Sequence, residues 1–410
     1  MANLMPLSES DRLPRWQRPE ALLYLMAAAM PLSFATWSAL LNNFVIEVAS
    51  FTGREIGWLH TVREIPGLLA VVVILILLAV REQVLALVML ALLGAATAVT
   101  GWFTSFSGLL VMTLLSSIGF HYFETVNQSL QLQWIDKARA PVVLGRIVAV
   151  GAGASLVAYG AIVALWDSLG LEYNTVYLGS GGVTIAIVLF AALAYPQFQS
   201  PHLQHRHMVL RRRYWLYYAL QFMAGARRQI FVVFAGFMMV ERFGMKVSEM
   251  TLLLLCNYLI NMAVAPAMGR ALGRYGERNV MGFEYIGLTL VFLAYGGLYW
   301  FGWGIVIAGG LYILDQLFFA LSFSLKTYFQ KIADPRDIAP TAAVAFTINH
   351  IAAVFLPASL GYLWATSPDY VLMLGAGMAL FAFGLICLIP RHPEPGMETI
   401  FSRGLPQPAE

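Results

Sequence analysis

The chain has 410 residues, 60% of them hydrophobic and 11% charged. A soluble domain carries about 25% charged residues, and the deficit here runs the whole length, which excludes a soluble globular protein with one anchor. The net charge of +3 identifies no partner, because the placement of the charges matters more than their sum.

The chain opens with about 19 polar residues holding Arg12, Arg15 and Arg18, and the apolar run after them is too long for a signal-peptide core. Twelve runs follow, each long enough at about 20 mostly apolar residues to cross a hydrocarbon core: 21–46, 55–79, 84–103, 106–133, 142–166, 174–196, 214–240, 248–269, 280–300, 304–328, 340–364 and 370–390. The expected fold is all-α and membrane-embedded, with twelve helices in two pseudo-symmetric six-helix bundles. It divides into a tail (1–20), a first bundle (21–196), a central loop (197–213), a second bundle (214–390) and a second tail (391–410).

Lys and Arg favour the cytoplasmic side of a membrane. With the N-terminus inside, nineteen of the 25 cations fall in inner segments, and only Arg54, Arg242 and Lys246 fall outside. Both termini and the central loop are therefore expected in the cytoplasm, in a plasma or bacterial inner membrane. The loop's His202, His205 and His207 read as part of a solvated basic anchor, and no metal site is expected. Cys256 and Cys387 lie in apolar runs and read as small buried side chains. Ala140-Pro141 before the fifth run and Ala339-Pro340 before the eleventh suggest that the halves are repeats, a plan that places a binding site between halves near the midplane.

Between the eighth and ninth runs the chain reads Gly269-Arg-Ala-Leu-Gly273-Arg274-Tyr-Gly276-Glu-Arg278. This resembles the G-x-x-x-D-R-x-G-x-R loop signature of the major facilitator superfamily. Gly269, Arg274, Gly276 and Arg278 match, and Gly273 stands where the family has Asp. The loop between the second and third runs, Ala79 to Gln83, lacks the signature. The resemblance implies secondary transport and a gating role for the four matching residues. Without it, the glycines still suit a tight turn, and the arginines suit headgroups and helix C-termini.

Three arginines, Arg63, Arg227 and Arg228, sit inside crossing runs. A charge at the bilayer centre costs roughly 2.5–3.5 kcal/mol even by insertion scales, so each must face protein, water or a ligand. At similar depth lie Glu64, His121 and Glu124 in the first half, and Asn257, Asn261, Asp315, Asn349 and His350 in the second. Arg63, His121, Arg227, Arg228, Asn257, Asn349 and His350 are the expected substrate contacts. Arginine's planar fork suits a carboxylate or phosphate. Glu124 and Asp315 are the expected proton carriers. Adjacent arginines diverge by about 100°, so one of Arg227 and Arg228 should face the path.

Pairing could also explain these groups, Arg63 with Glu124 and a span-7 arginine with Asp315. Glu64 is expected to face away from Arg63, and Glu284 to mark the inner end of the ninth run. The reading that accounts for charges in both halves is a secondary transporter for a small anionic or amphipathic organic solute. It would be driven by an ion gradient, with H+ expected, and would need no cofactor, nucleic acid or enzymatic chemistry. Its partners would be substrate and bilayer, and the functional unit a monomer. The alternative is a membrane-embedded enzyme or a non-transporting receptor or scaffold on the same bundle.

Overall fold

The computed structural model describes residues 5–70, 72–136, 139–199, 210–334 and 337–402. Most of the central loop, with its three histidines, lies outside the described residues. The helices are α1 Pro19–Glu47, α2 Gly53–Leu68, α3 Val72–Ile76, α4 Glu82–Val99, α5 Phe106–Trp134, α6 Ala140–Leu169, α7 Tyr173–Ala194, α8 Trp215–Ile230, α9 Gly236–Glu241, α10 Val247–Trp300, α11 Ile305–Phe319, α12 Phe323–Ile332, α13 Ile338–Trp364 and α14 Pro368–Ile386. Among the described residues, ten helices are long and apolar enough to cross a membrane.

Two local features reconcile ten with twelve. Helix α10 is 54 residues long but bends at Gly276, where φ is 76° and ψ 166°. Glycine alone adopts that backbone without a Cβ penalty, so α10 is two crossing helices joined by one residue. The run 55–79, expected as one helix, is instead broken near Leu69. Pro66 offers no N–H, and the Ala70 N–H bonds back to Gly67 O at 3.3 Å, tightening the turn. Twelve crossing segments result, in an integral multi-pass membrane protein.

Apolar side chains cover the outside, among them Leu193 at 88% and Val306 at 84% exposed. That is the surface a helix shows to lipid rather than water. Cys387 belongs to this surface. It is exposed and Cys256 half-exposed, so neither is the buried filler expected, because apolar and interior are not the same thing in a bilayer.

The chain forms two compact units. The first comprises residues 1–51, 62–205 and 245–255; the second comprises 52–61, 206–244 and 256–410. They follow the sequence halves except that the first turns of α2 count with the second unit and the first turns of α10 with the first. In the first unit α4 packs on α5 and α7, and α1 on α6 and α7. Its core holds Leu22, Met26, Leu90, Phe123 and Leu130. Polar contacts join α1 to α7: Ser33 Oγ donates to Thr184 Oγ1 at 2.8 Å, and Thr184 Oγ1 donates to Ala29 O at 3.1 Å. Such contacts replace the missing hydrophobic drive between helices in lipid.

In the second unit α8 packs on α13 and α14, around Tyr217, Tyr285, Tyr328 and Phe329. The opening turns of α2 lie tight on α13. A Cβ on Gly57 would come within 2.3 Å of Pro357 O, and one on Gly361 within 2.4 Å of Gly53 O. Thr61 Oγ1 donates to Val354 O at 2.7 Å in the same seam.

Candidate functional site

In the first unit, Arg63 and Glu64 form a direct ion pair, with side chains 18% and 3% exposed. Glu64 therefore does not face away: the long arginine side chain folds back onto its neighbour, and the Arg63–Glu124 pairing anticipated from sequence is replaced by this one. The Arg63 guanidinium also lies 5.9 Å from the Trp37 ring centre. Ser117 connects the group, donating to the Arg63 carbonyl and sitting 2.9 Å from His121 Nδ1. Arg63 and His121 are thus brought together. Glu124 is half-buried one turn further along α5 and accepts a hydrogen bond from Gln128.

In the second unit, the two adjacent arginines separate. Arg227 and Asp315 form a pair at 3.5 Å, each with a side chain 1% exposed, and the guanidinium stands 5.3 Å from the Phe319 ring centre. Arg228 is only partly buried; its Nη2 donates to Asn349 Oδ1 at 3.0 Å. Asn349 in turn donates to Gln221 O at 3.2 Å. His350 is buried on the next position of α13, with Nδ1 2.9 Å from Phe346 O and its ring 4.1 Å from that of Phe346. Asn257 is buried with neither amide atom hydrogen-bonded by its side chain, while its carbonyl accepts from Asn261 at 2.9 Å.

Three features of this unit escape the sequence. Gln229 follows the arginines, is 1% exposed, and neither of its amide atoms has a hydrogen-bond partner. After one further residue, Phe231–Ala235 is a π-helical segment, a distortion that often marks functional sites. The third is Glu284, expected at a membrane boundary but 1% exposed and within charge range of Arg227 and Asp315. The one-residue turn explains it. With the helix restarting right after Gly276, Glu284 lies about 12 Å inside at 1.5 Å per residue.

The signature loop is mostly helix. Gly276 alone makes the turn, while Gly269 and Arg274 are exposed and Arg278 is half-exposed. Arg274 lies 5.4 Å from the Tyr275 ring centre. The buried acid here is Glu277, paired with Lys331 Nζ at 2.9 Å. An open pocket near the start of α2, lined by Arg54, Glu55, Glu241, Arg242, Tyr299 and Trp364 among others, contains none of the expected site residues. Its two arginines and two acids balance, and Arg242 already lies 4.2 Å from the Tyr299 ring centre.

The family model for the Major Facilitator Superfamily matches residues 22–357. The chain belongs to this superfamily. Solved superfamily structures share the fold at low identity. A point mutant of the nucleoside transporter NupG has a TM-score of 0.75 and 13% identity, covering 90% of this chain and 99% of its own. NupG itself has a TM-score of 0.67 and 14% identity, covering 90% and 98%. A bacterial homologue of the human lysosomal transporter Spinster, inward-facing and occupied, has a TM-score of 0.67 and 12% identity, covering 90% and 95%. No curated protein matches the sequence. Identities this low carry the fold and not the substrate.

Proposed function

We propose that this superfamily member is a secondary active transporter that moves a small organic anion by alternating access, coupled to protons. The observation that carries the reading is the division of labour on α8. Arg227 is sealed against Asp315, while Arg228 is half-buried and bonded to an amide. A carboxylate or phosphate binds a guanidinium more strongly than an amide oxygen does, so an anionic ligand can displace Asn349 from Arg228. Arg63, with His121 near it, is the corresponding cation of the first unit. Glu124 and Asp315 are the acids available to carry the proton, and the loop from Gly269 to Arg278 is the gating turn.

A second reading has its own support. Asn257 and Gln229 are buried amides without side-chain partners, and such groups suit a neutral, hydrogen-bonding solute such as the nucleosides that NupG carries. Purified protein screened for ligand-induced thermal stabilisation separates the two. Stabilisation by organic anions, lost in Arg228→Gln, supports the first reading; stabilisation by nucleosides that survives Arg228→Gln supports the second.

The proposed setting is a bacterial inner membrane, with both termini inside and the monomer as the working unit. The inner excess of Lys and Arg supports that orientation. A reporter fused after Glu410 that is active only outside would overturn it.

A further inference from the structure

We infer that Arg227, Asp315 and Glu284 form one sealed site that holds a single exchangeable proton, carried by one or other of the two carboxyls. Glu284 thereby becomes a second acid of the coupling site. The inference rests on the proton-coupled reading above and extends it to a residue outside that reading.

The three groups come from α8, α11 and the second arm of α10. Arg227 Nη1 is 3.5 Å from Asp315 Oδ1, and both side chains are 1% exposed. Glu284 is also 1% exposed, and it lies where this arm of α10 packs on α11 one turn from Asp315: the Phe283 ring is 5.5 Å from that of Phe318, and a Cβ on Gly287 would come within 2.2 Å of the same ring. Among the described residues, two carboxylates against one guanidinium leave one negative charge with no counterion. An uncompensated charge in a dry interior is not tolerated; the group neutralises instead. One proton makes the cluster neutral.

Room for the proton exists. Asp315 Oδ2, Glu284 Oε2 and Arg227 Nε are all buried without a hydrogen-bond partner. Among the described residues, the other titratable groups in charge range are phenols: Tyr285 near Glu284 and Arg227, Tyr295 near Asp315, and Tyr312 near Tyr295. Phenols are neutral near pH 7, so none supplies the missing positive charge. Interacting acids of this kind titrate as a pair rather than singly.

The test is charge counting by mutation in the purified full-length chain. Asp315→Asn or Glu284→Gln alone leaves one acid opposite Arg227 and needs no proton, so each single variant should fold and melt near wild type. The double variant strands Arg227 as a bare buried cation. Its melting temperature should fall by far more than the sum of the singles, and adding Arg227→Met should restore it. Infrared spectra of wild type at neutral pH should contain a protonated-carboxyl band, shifted in D2O, that both single variants lose.

If Asp315→Asn alone is as damaged as the double variant, Glu284 is outside the site and the inference falls. If the band is missing from wild type and sodium chloride alone raises its melting temperature, the compensating ion is sodium, and the proton is overturned. None of these readouts needs transport. A band that persists while a pH gradient drives no accumulation would therefore sink the coupling reading and leave the buried proton standing.

Discussion

Arg228 donates from Nη2 to Asn349 Oδ1 at 3.0 Å, tying the half-buried arginine of α8 to α13, the helix that packs most closely against it. Its neighbour Arg227 points to Asp315 instead. The roughly 100° between successive residues of a helix lets one sequence pair supply both a sealed ion pair and the proposed binding contact. The two arginines should respond differently to the same substitution. Arg228→Gln should fold normally and raise the apparent KM about tenfold or more, since a hydrogen bond to a charged group contributes about 1.5–3 kcal/mol. Arg227→Gln should destabilise the fold by about 3–5 kcal/mol, the usual result of removing one partner of a buried pair. Melting curves and uptake in liposomes separate the effects. The assignment is wrong if Arg228→Gln leaves KM unchanged while Arg227→Gln melts like wild type.

The seam between the start of α2 and α13 has no space for side chains at Gly57 and Gly361. Valine at Gly361 must push the two helices apart, at about 1–3 kcal/mol for forced overpacking. Thr61, which bonds Val354 O in the same seam, reports on the separation. A cysteine placed there by Thr61→Cys should react with a membrane-impermeant thiol reagent faster in the Gly361→Val background. Equal labelling rates in the two backgrounds would mean that the glycines do not hold the seam shut.

What could be read from sequence, and what could not, follows from the range of each signal. The crossing runs were legible because the hydrocarbon thickness imposes their length. The turn at Gly276 was legible because its backbone conformation demands glycine. The Arg63–Glu64 pair was hidden, since helix spacing predicts that adjacent residues diverge and says nothing of a side chain long enough to fold back. Glu284 was misplaced because hydropathy blurs helix ends, and here the turn is one residue. The π segment after Gln229 has no composition of its own. Asp337 gave no signal either, because its partners Arg211, Arg213 and Tyr214 all come from one segment 123–126 residues earlier in the chain.

Asp337 is nevertheless held by several donors outside the spans. Arg211 Nε and Nη2 reach Oδ1, both at about 3.1–3.3 Å, and Arg213 Nη2 and Tyr214 Oη reach Oδ2 at 3.2 and 3.1 Å. Burial alone would raise its carboxyl, but the bonds from Arg211 and Tyr214 and the charges of Arg211 and Arg213 outweigh that and hold it below the ordinary range. A depressed acid contributes stability that is complete above the unfolded value, about 3.9, and is lost as pH falls through the lower folded value. Asp337→Asn should therefore cost on the order of 1 kcal/mol at pH 7, limited because the two arginines stay partly in water. The gap to wild type should begin to close only below about pH 4. Denaturation measured across pH checks this, and a gap that closes between pH 7 and 5 would contradict it.

The proton reading of transport makes the sharpest demand on Glu124 and Asp315. Both are acids within the helices that carry the expected site, and they differ in setting. Glu124 is half-buried with Gln128 as its neighbour, whereas Asp315 is sealed with Arg227. Replacing the true carrier by its amide fixes one protonation state. Downhill exchange of substrate should then survive, while accumulation driven by a pH gradient is lost. An acid with only a structural part gives another pattern: its amide either fails to fold or leaves both activities intact. Reconstituted protein with an imposed gradient and a substrate found by the thermal screen distinguishes these outcomes. Accumulation driven by sodium and indifferent to pH would end the proton mechanism and turn both acids into candidate sodium ligands.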